Sequence, residues 1–275
     1  MPFINVRDLQ MYYEIRGKGP RLLVISGTGG DLRRSPNIFE MPIAQHFEIL
    51  AYDQRGLGQT SKPDIPYTMI DYAEDANALL DALKWNRCLV MGISFGGMVA
   101  QEFALRYPGR VNRLVLACTT SGGAGGSSYP LHELADLSPE DYVRRILPLS
   151  DIRRHAIWRE ANPQQFQRLF DETLSGLRMG AEEPRLQTGL RRQLEARARH
   201  DTYNRLPKLQ MPVYICGGLY DGIAKPLNLK AVQEQIPESR LEMFEGGHLF
   251  YVQDPRAFDR IAAFLRGDLN GKFKV

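Results

Sequence analysis

Apolar residues fall in short dense blocks along this chain, and their spacing changes character from block to block. Arg21–Ile25 and residues 88–91 are continuous apolar runs, as expected of strands buried on both faces. Residues 3–6, 9–15, 47–52, Val111–Ala117, 211–216 and Arg240–Phe244 also read as extended, with alternation over 9–15. Between them lie stretches with apolar residues at helical spacing: 38–45, 69–83 with a start near Asp71 as the cap, 97–107, 224–235 and 255–265. Strands alternating with helices predict an α/β fold, a mostly parallel sheet flanked by helices on both faces.

The rhythm breaks after about residue 120. Ser121-Gly122-Gly123-Ala124-Gly125-Gly126-Ser127-Ser128 opens a stretch that reads as helices with no strand until Pro207. The predicted division is a core of residues 1–120 and 208–275, with residues 121–207 inserted after the sixth strand. An insertion at the C-terminal end of a central strand sits over the place where open α/β sheets bind ligands. It reads as a helical cap, or lid, with hinges near 121–128 and Pro207; the alternative is a helical decoration with no part in access.

Gly92-Ile93-Ser94-Phe95-Gly96 joins the apolar run 88–91 to a helical stretch. A serine hydroxyl becomes a useful nucleophile when a sharp turn pushes it beside a base and a pocket of N–H donors. That turn needs very small residues two before and two after the serine, which Gly92 and Gly96 supply. A bare G-x-S-x-G also fits a glycine-rich turn with a solvated serine; the strand, turn and helix order favours the nucleophile. His248, on the glycine loop after Arg240–Phe244, is the best-placed base. Asp221, after the late strand, is the candidate carboxylate to orient it, and its other reading is a helix cap. The chain order is then serine, acid, histidine. An oxyanion hole needs two N–H groups; Phe95 offers one, and Thr28, in Ser26-Gly27-Thr28-Gly29-Gly30-Asp31, is the candidate for the second. This loop follows a strand, but Leu32 stands where a dinucleotide fingerprint needs its third glycine.

With these motifs in place, the chain resembles the α/β-hydrolase superfamily, and most nearly small serine esterases and 3-oxoadipate enol-lactonase-like proteins. Tyr52-Asp53-Gln54-Arg55-Gly56-Leu57-Gly58-Gln59-Thr60 is similar to the superfamily's D-x-R-G-x-G-x-S loop, in which Asp53 and Arg55 would fasten the loop by hydrogen bonds and an ion pair. Residues 103–111, Asp221-Gly222-Ile223-Ala224 and Gly246-Gly247-His248 extend the likeness. Many relatives carry His-Gly where this chain has Ser26-Gly27. The resemblance implies the α/β-hydrolase fold and hydrolysis of a small-molecule ester or lactone through Ser94, His248 and Asp221, with an acyl-enzyme intermediate. Two other readings share the same residues: a slow-turnover ligand receptor or signalling protein, and a carbon–carbon bond hydrolase. The latter usually places an aromatic after the histidine, where this chain has Leu249.

Composition narrows the classes further. At 275 residues with 43% hydrophobic content, the chain fits one domain plus an insertion. A net charge of +3 gives no electrostatic case for nucleic acid. No apolar stretch approaches the ~20 residues of a membrane span, and the N-terminus lacks a signal-peptide layout, so the expected compartment is the cytoplasm. Cys88, Cys118 and Cys216 lie in strand-like runs without metal-ligand spacing. No cofactor and no metal are expected. Residues 121–205 hold 13 arginines, no lysine and 12 acidic residues, which reads as solvated helix faces more than as a basic lid. Tyr142, Trp158, Phe166 and Phe170 are candidates for the pocket wall.

Overall fold

The computed structural model describes residues 2–269. Eight strands form one sheet in the order β1-β2-β4-β3-β5-β6-β7-β8: β1 (Phe3–Val6), β2 (Leu9–Arg16), β3 (Arg21–Ile25), β4 (Glu48–Tyr52), β5 (Cys88–Ile93), β6 (Val111–Ala117), β7 (Val213–Gly218) and β8 (Arg240–Phe244). β1 and β2 pair antiparallel, as do β2 and β4, and the other pairings are parallel. The predicted α/β class therefore holds, as a mostly parallel sheet closed at one edge by an antiparallel hairpin. The helices are α1 (Met69–Ala82), α2 (Phe95–Arg106), α3 (Pro139–Ser150), α4 (Ala156–Ala161), α5 (Pro163–Arg178), α6 (Leu186–Ala198), α7 (Pro226–Gln235), α8 (Phe250–Gln253) and α9 (Arg256–Arg266).

Period-two alternation assigns the core to two faces. Leu23 and Ile25 of β3, Val90 of β5 and Ile215 of β7 pack with Leu79 and Leu80 of α1, Val99 and Phe103 of α2, and Val232 of α7. Leu22, Val24, Met91, Val115 and Cys216 point the other way, onto Phe258, Ile261 and Leu265 of α9. A fully buried side chain of this kind stabilises the fold by about 1.5–3 kcal/mol. The three cysteines are free and buried, and burial pushes the Cys88 thiol up to about 12.

Two local expectations are corrected. Residues 38–45 form two short 3₁₀ turns, Ile38–Glu40 and Pro42–Gln45, instead of one helix. The reason is Pro42, which forces Met41 into extended backbone at ψ 154°. The cap of α1 is Thr68, not Asp71. Thr68 Oγ1 accepts the Asp71 N–H at 3.1 Å, and Asp71 Oδ2 accepts the Thr68 N–H at 3.0 Å, a reciprocal capping box.

The stretch after β6 is helical, and its only pairing outside helices among the described residues is an isolated bridge between Gly122 and Asp201. That bridge ties together the two points where the chain leaves and re-enters the sheet layer. Thr202 N–H also donates to the Ser121 carbonyl at 2.8 Å, and both residues are buried. The core boundaries expected from the sequence include Met1 and residues 270–275, which lie outside the described residues. No described helix is long and apolar enough to cross a membrane.

Candidate active site

Strand order reverses at β3, which has β4 on one side and β5 on the other. Loops leaving adjacent strands in opposite directions open a crevice there. Ile25 of β3 pairs with Gly92 of β5, so the turn at 26–31 and the turn at Ser94 emerge side by side.

Ser94 has φ 55° and ψ −116°, a conformation costing a non-glycine residue on the order of 1–3 kcal/mol. Surroundings over-determine it. Its N–H donates to the Ala117 carbonyl at 2.8 Å, and its own carbonyl accepts Thr119 Oγ1 at 2.8 Å and the Gly97 N–H at 2.9 Å. A Cβ on Gly92 would overlap the Gly96 carbonyl, and one on Gly96 would overlap the Ile25 carbonyl. Both glycines are therefore required by close approach, as the sequence pattern predicts.

Asp221 follows β7 and His248 follows β8, and the two loops bring both side chains to Ser94. His248 Nε2 lies 2.9 Å from Ser94 Oγ, and His248 Nδ1 lies 2.7 Å from Asp221 Oδ2. Asp221 is 2% exposed, and its Oδ1 accepts the N–H groups of Ile223 at 2.7 Å and Ala224 at 2.9 Å. A carboxylate held this way can only accept, so Nδ1 carries the imidazole proton and Nε2 is free to accept from the Ser94 hydroxyl. Asp221 thus caps its own turn and faces the histidine, which unites the two readings of this residue.

On the opposite side, a Cβ on Gly27 would stand 3.5 Å from Ser94 Cβ. Among the described residues, neither Thr28 N–H nor Phe95 N–H donates to any acceptor. Phe95 is the first residue of α2, where unpaired N–H groups carry the positive end of the helix dipole. The turn is held by residues that no motif pointed to. Gln54 Nε2 donates to the Ser26 carbonyl at 2.8 Å, Asp53 Oδ1 accepts the Leu32 N–H at 2.8 Å, and Gln193 Oε1, on α6, accepts the Gly29 N–H at 2.9 Å. Ser26 in place of the common histidine therefore leaves the turn anchored. Burial pushes the Asp53 carboxyl up to about 6. Arg55 is buried and pairs with Asp75 and Asp8, so the expected ion pair exists but does not involve Asp53.

The helical stretch after β6 is fastened to the acid and histidine loops. The carbonyl of Ser150, the last residue of α3, accepts the His248 N–H at 2.6 Å, and the Leu149 carbonyl accepts the Gly222 N–H at 3.0 Å. Ile152 N–H donates to the Tyr220 carbonyl at 3.0 Å. Gln253 completes the link, its Nε2 donating to Asp151 Oδ2 at 3.1 Å while its Oε1 accepts the Gly247 N–H at 2.7 Å.

Between the 26–31 turn and this helical layer lies a cavity of about 190 Å³. Thr28, Gly29 and Arg34 line it from the sheet side, and Leu131, Tyr142 and Leu190 from the helical side. Of the four aromatic candidates only Tyr142 reaches its wall. Phe170 packs with Val143 and Leu147 between α3 and α5, Phe166 packs against that cluster, and Trp158 is not among the lining residues. Among the described residues His248 is the one histidine that hydrogen-bonds to Ser94, and His200 is buried beside the Thr120 backbone at the crossing point. Among the described residues no three His, Cys, Asp or Glu side chains converge as a metal site.

The fold is matched by comparison with known proteins. Residues 20–255 match a family model described as the alpha/beta hydrolase fold. The chain is 29% identical over 239 residues to a poly(3-hydroxyalkanoate) depolymerase of Ectopseudomonas oleovorans, covering 84% of this chain and 78% of the relative. It is 26% identical over 262 residues to 3-oxoadipate enol-lactonase 2 of Acinetobacter baylyi, covering 93% and 92%. The crystal structure of an enol-lactonase from Burkholderia xenovorans LB400 superposes with a TM-score of 0.74 over 98% of both chains at 22% identity, a likeness of fold.

Proposed function

This chain belongs to the alpha/beta hydrolase fold family, and from that premise we propose that it hydrolyses a carboxylic ester or lactone of a small molecule, with Ser94 as nucleophile, His248 as base and Asp221 as the orienting acid. The observation that carries this reading is the unbroken line from Ser94 Oγ to His248 Nε2 at 2.9 Å and from His248 Nδ1 to Asp221 Oδ2 at 2.7 Å. Similarity to a relative named as an enol-lactonase supports a lactone or ester bond as the target.

Ser94 Oγ attacks the acyl carbon while its proton passes to His248 Nε2, and the Asp221 carboxylate stabilises the imidazolium. The carbonyl oxygen becomes an oxyanion that receives the Thr28 and Phe95 N–H groups. Each such donor contributes ~3 kcal/mol to the transition state. His248 then gives its proton to the departing alkoxide oxygen, leaving an acyl ester on Ser94. Water enters, loses a proton to His248, and releases the acid and the free serine by the same steps in reverse. The cap expected over residues 121–207 would have a part in this, since its first long helix ends on the histidine loop.

A fluorophosphonate should label Ser94 alone in the full chain, and Ser94→Ala should remove both the label and at least about 10⁴-fold of ester turnover. Retained turnover in that variant would mean another group does the chemistry. Labelling accompanied by negligible turnover across a panel of esters and lactones would favour the receptor reading instead.

A further inference from the structure

Arg34 has no task in the reaction just described, yet it lines the cavity, whose other lining cation, Arg191, is exposed and pairs with Asp136 at 3.3 Å. It follows the turn after β3, where its N–H donates to the Asp31 carbonyl at 3.1 Å. Its Nη1 stands 4.0 Å from the place a Gly29 Cβ would take. No hydrogen bond or ion pair of its side chain occurs among the described residues, and its Nε is buried without a partner. The acidic groups near it are already engaged. Asp31 Oδ2 accepts Arg33 Nη2 at 2.6 Å, and Asp53 accepts the backbone N–H groups of Leu32 and Gln59, both at 2.8 Å. Arg33, one residue earlier, shows the ordinary outcome, since it pairs with both Asp31 and Glu183. Burial pulls the Arg34 guanidinium below its usual value, but arginine stays charged inside proteins, so it cannot relieve its desolvation by losing a proton.

Two further side-chain atoms at this turn are buried without a partner, Thr28 Oγ1 on the cavity wall and Nε2 of Gln193, which is bonded to Gly29; Arg197 Nε, on α6, is a third. Gln193 has no exposed surface, and its Oε1 is already committed to the Gly29 N–H. Tyr142, on the cavity wall, lies in the field of both Arg34 and Arg197, and burial keeps its phenol protonated. Leucines form most of the remaining wall. The cavity is therefore a largely apolar space with Arg34 and Thr28 at the end nearest the turn after β3, and among the described residues no carboxylate pairs with Arg34.

We propose that Arg34 is a specificity residue that seats a carboxylate of the substrate while the ester carbonyl lies at Ser94. The favoured class is then a monoester of a short dicarboxylic acid. This rests on the hydrolase reading of Ser94. The spacing suits a short acyl chain: Gly27 adjoins Ser94 and Gly29 adjoins Arg34, two residues apart in a turn and so at most about 7 Å of backbone. A guanidinium also matches a carboxylate in two parallel hydrogen bonds, which fixes the acyl chain in direction as well as place.

The test compares two esters of equal length, mono-4-nitrophenyl glutarate and 4-nitrophenyl valerate, on the full chain and on Arg34→Met and Arg34→Lys, together with calorimetric and thermal-shift binding of glutarate. The parent should favour the anionic ester at least tenfold in kcat/KM. Arg34→Met should lose about 10- to 100-fold on that ester through KM and stay within about threefold on the neutral one, with part restored in Arg34→Lys. Glutarate should raise the melting temperature of the parent and of Ser94→Ala but not of Arg34→Met. Without ligand, Arg34→Met should melt no lower than the parent, because it removes an unpaired desolvated cation. Equal turnover of both esters by the parent overturns the proposal, as does equal loss of both in Arg34→Met, a markedly lower melting temperature in that variant, or glutarate binding indifferent to Arg34. If neither ester is hydrolysed but glutarate still binds through Arg34, the anion site stands and the hydrolase reading falls. If both are hydrolysed alike with Arg34 or without it, the reverse holds.

Discussion

The two walls of the Ser94 crevice are finished differently. On one, every side-chain polar atom of Ser94, His248 and Asp221 has a protein partner, and the loops beneath are bonded to α3 and to each other. On the other, Thr28, Arg34, Gln193 and Arg197 each keep a buried polar atom without one. Buried polar groups are ordinarily satisfied, and each exception asks for a reason. The contrast teaches that the first wall is complete as folded, its strain at Ser94 held by neighbours, whereas the second is completed by what binds to it. On the proposed reading, chemistry belongs to Ser94 with the loops after β7 and β8, and ligand recognition to the turn after β3 with helix α6.

The largest effect should come from breaking the finished wall. Asp221→Asn keeps an oxygen for the N–H groups of Ile223 and Ala224, so the turn survives. It presents an amide to His248 Nδ1, however, and the imidazole then turns its proton toward Ser94. The proposed mechanism predicts a fall in kcat of about 10⁴ with the melting temperature little changed. Steady-state rates and a thermal melt of the same sample check both halves. A loss under tenfold would mean that the carboxylate only shapes the turn.

A smaller effect separates groups that await a ligand from groups that the fold has already accommodated. His200 and Arg34 are both desolvated, but histidine can shed its proton. Burial pushes the His200 imidazole down to about 3, against ~6.5 in an unfolded chain. Between those values the unfolded state binds the extra proton. The stability tied to neutral His200 is therefore full above pH 6.5 and is lost as pH falls toward 3. From pH 6.5 to pH 5 the loss should be about 2 kcal/mol, read by denaturant unfolding, and His200→Gln should flatten that slope. Asp53, pushed up to about 6, acts with the opposite sign below its folded value, so the difference between parent and variant is the quantity to measure. Equal slopes in the two would show that His200 is already protonated in the fold.

How far the sequence foretold this arrangement depends on the range over which each contact is encoded. The expected limits of β6 and β8 match the observed ones: the buried apolar run 114–117 marks the end of β6, whereas β8 is only partly buried and carries Arg240 and Glu242 among its apolar residues. Ser94, His248 and Asp221 were legible because each sits at the end of a strand on a glycine-containing turn, a local signature. The segment 38–45 departs from the helix its apolar spacing predicts because Pro42 acts on Met41 by sterics alone, which apolar spacing does not register. Gln193 and Gln253 were invisible for another reason. They act on residues 164 and 102 positions away, through an amide that carries no pattern of its own. Gln54 lay within the recognised D-x-R-G loop, at the variable position, and its lack of exposure was the missing clue.

The smallest expected effect tests whether the finished wall depends on its outer supports. Gln253 accepts the Gly247 N–H through Oε1 and donates to Asp151 through Nε2, while Ser150 separately accepts the His248 N–H. Gln253→Leu removes one of these two tethers and leaves the Gly247 N–H unpaired, at a stability cost of about 1–2 kcal/mol. A histidine loop free to drift by a fraction of an ångström loses part of its alignment with Ser94 Oγ, which lowers kcat and leaves the facing wall untouched. The expected result is a fall in kcat of roughly tenfold with KM unchanged within twofold. A rise in KM at constant kcat would join the two walls into one binding surface and end the distinction drawn between them. Unchanged kinetics would assign the positioning of His248 to the Ser150 carbonyl alone.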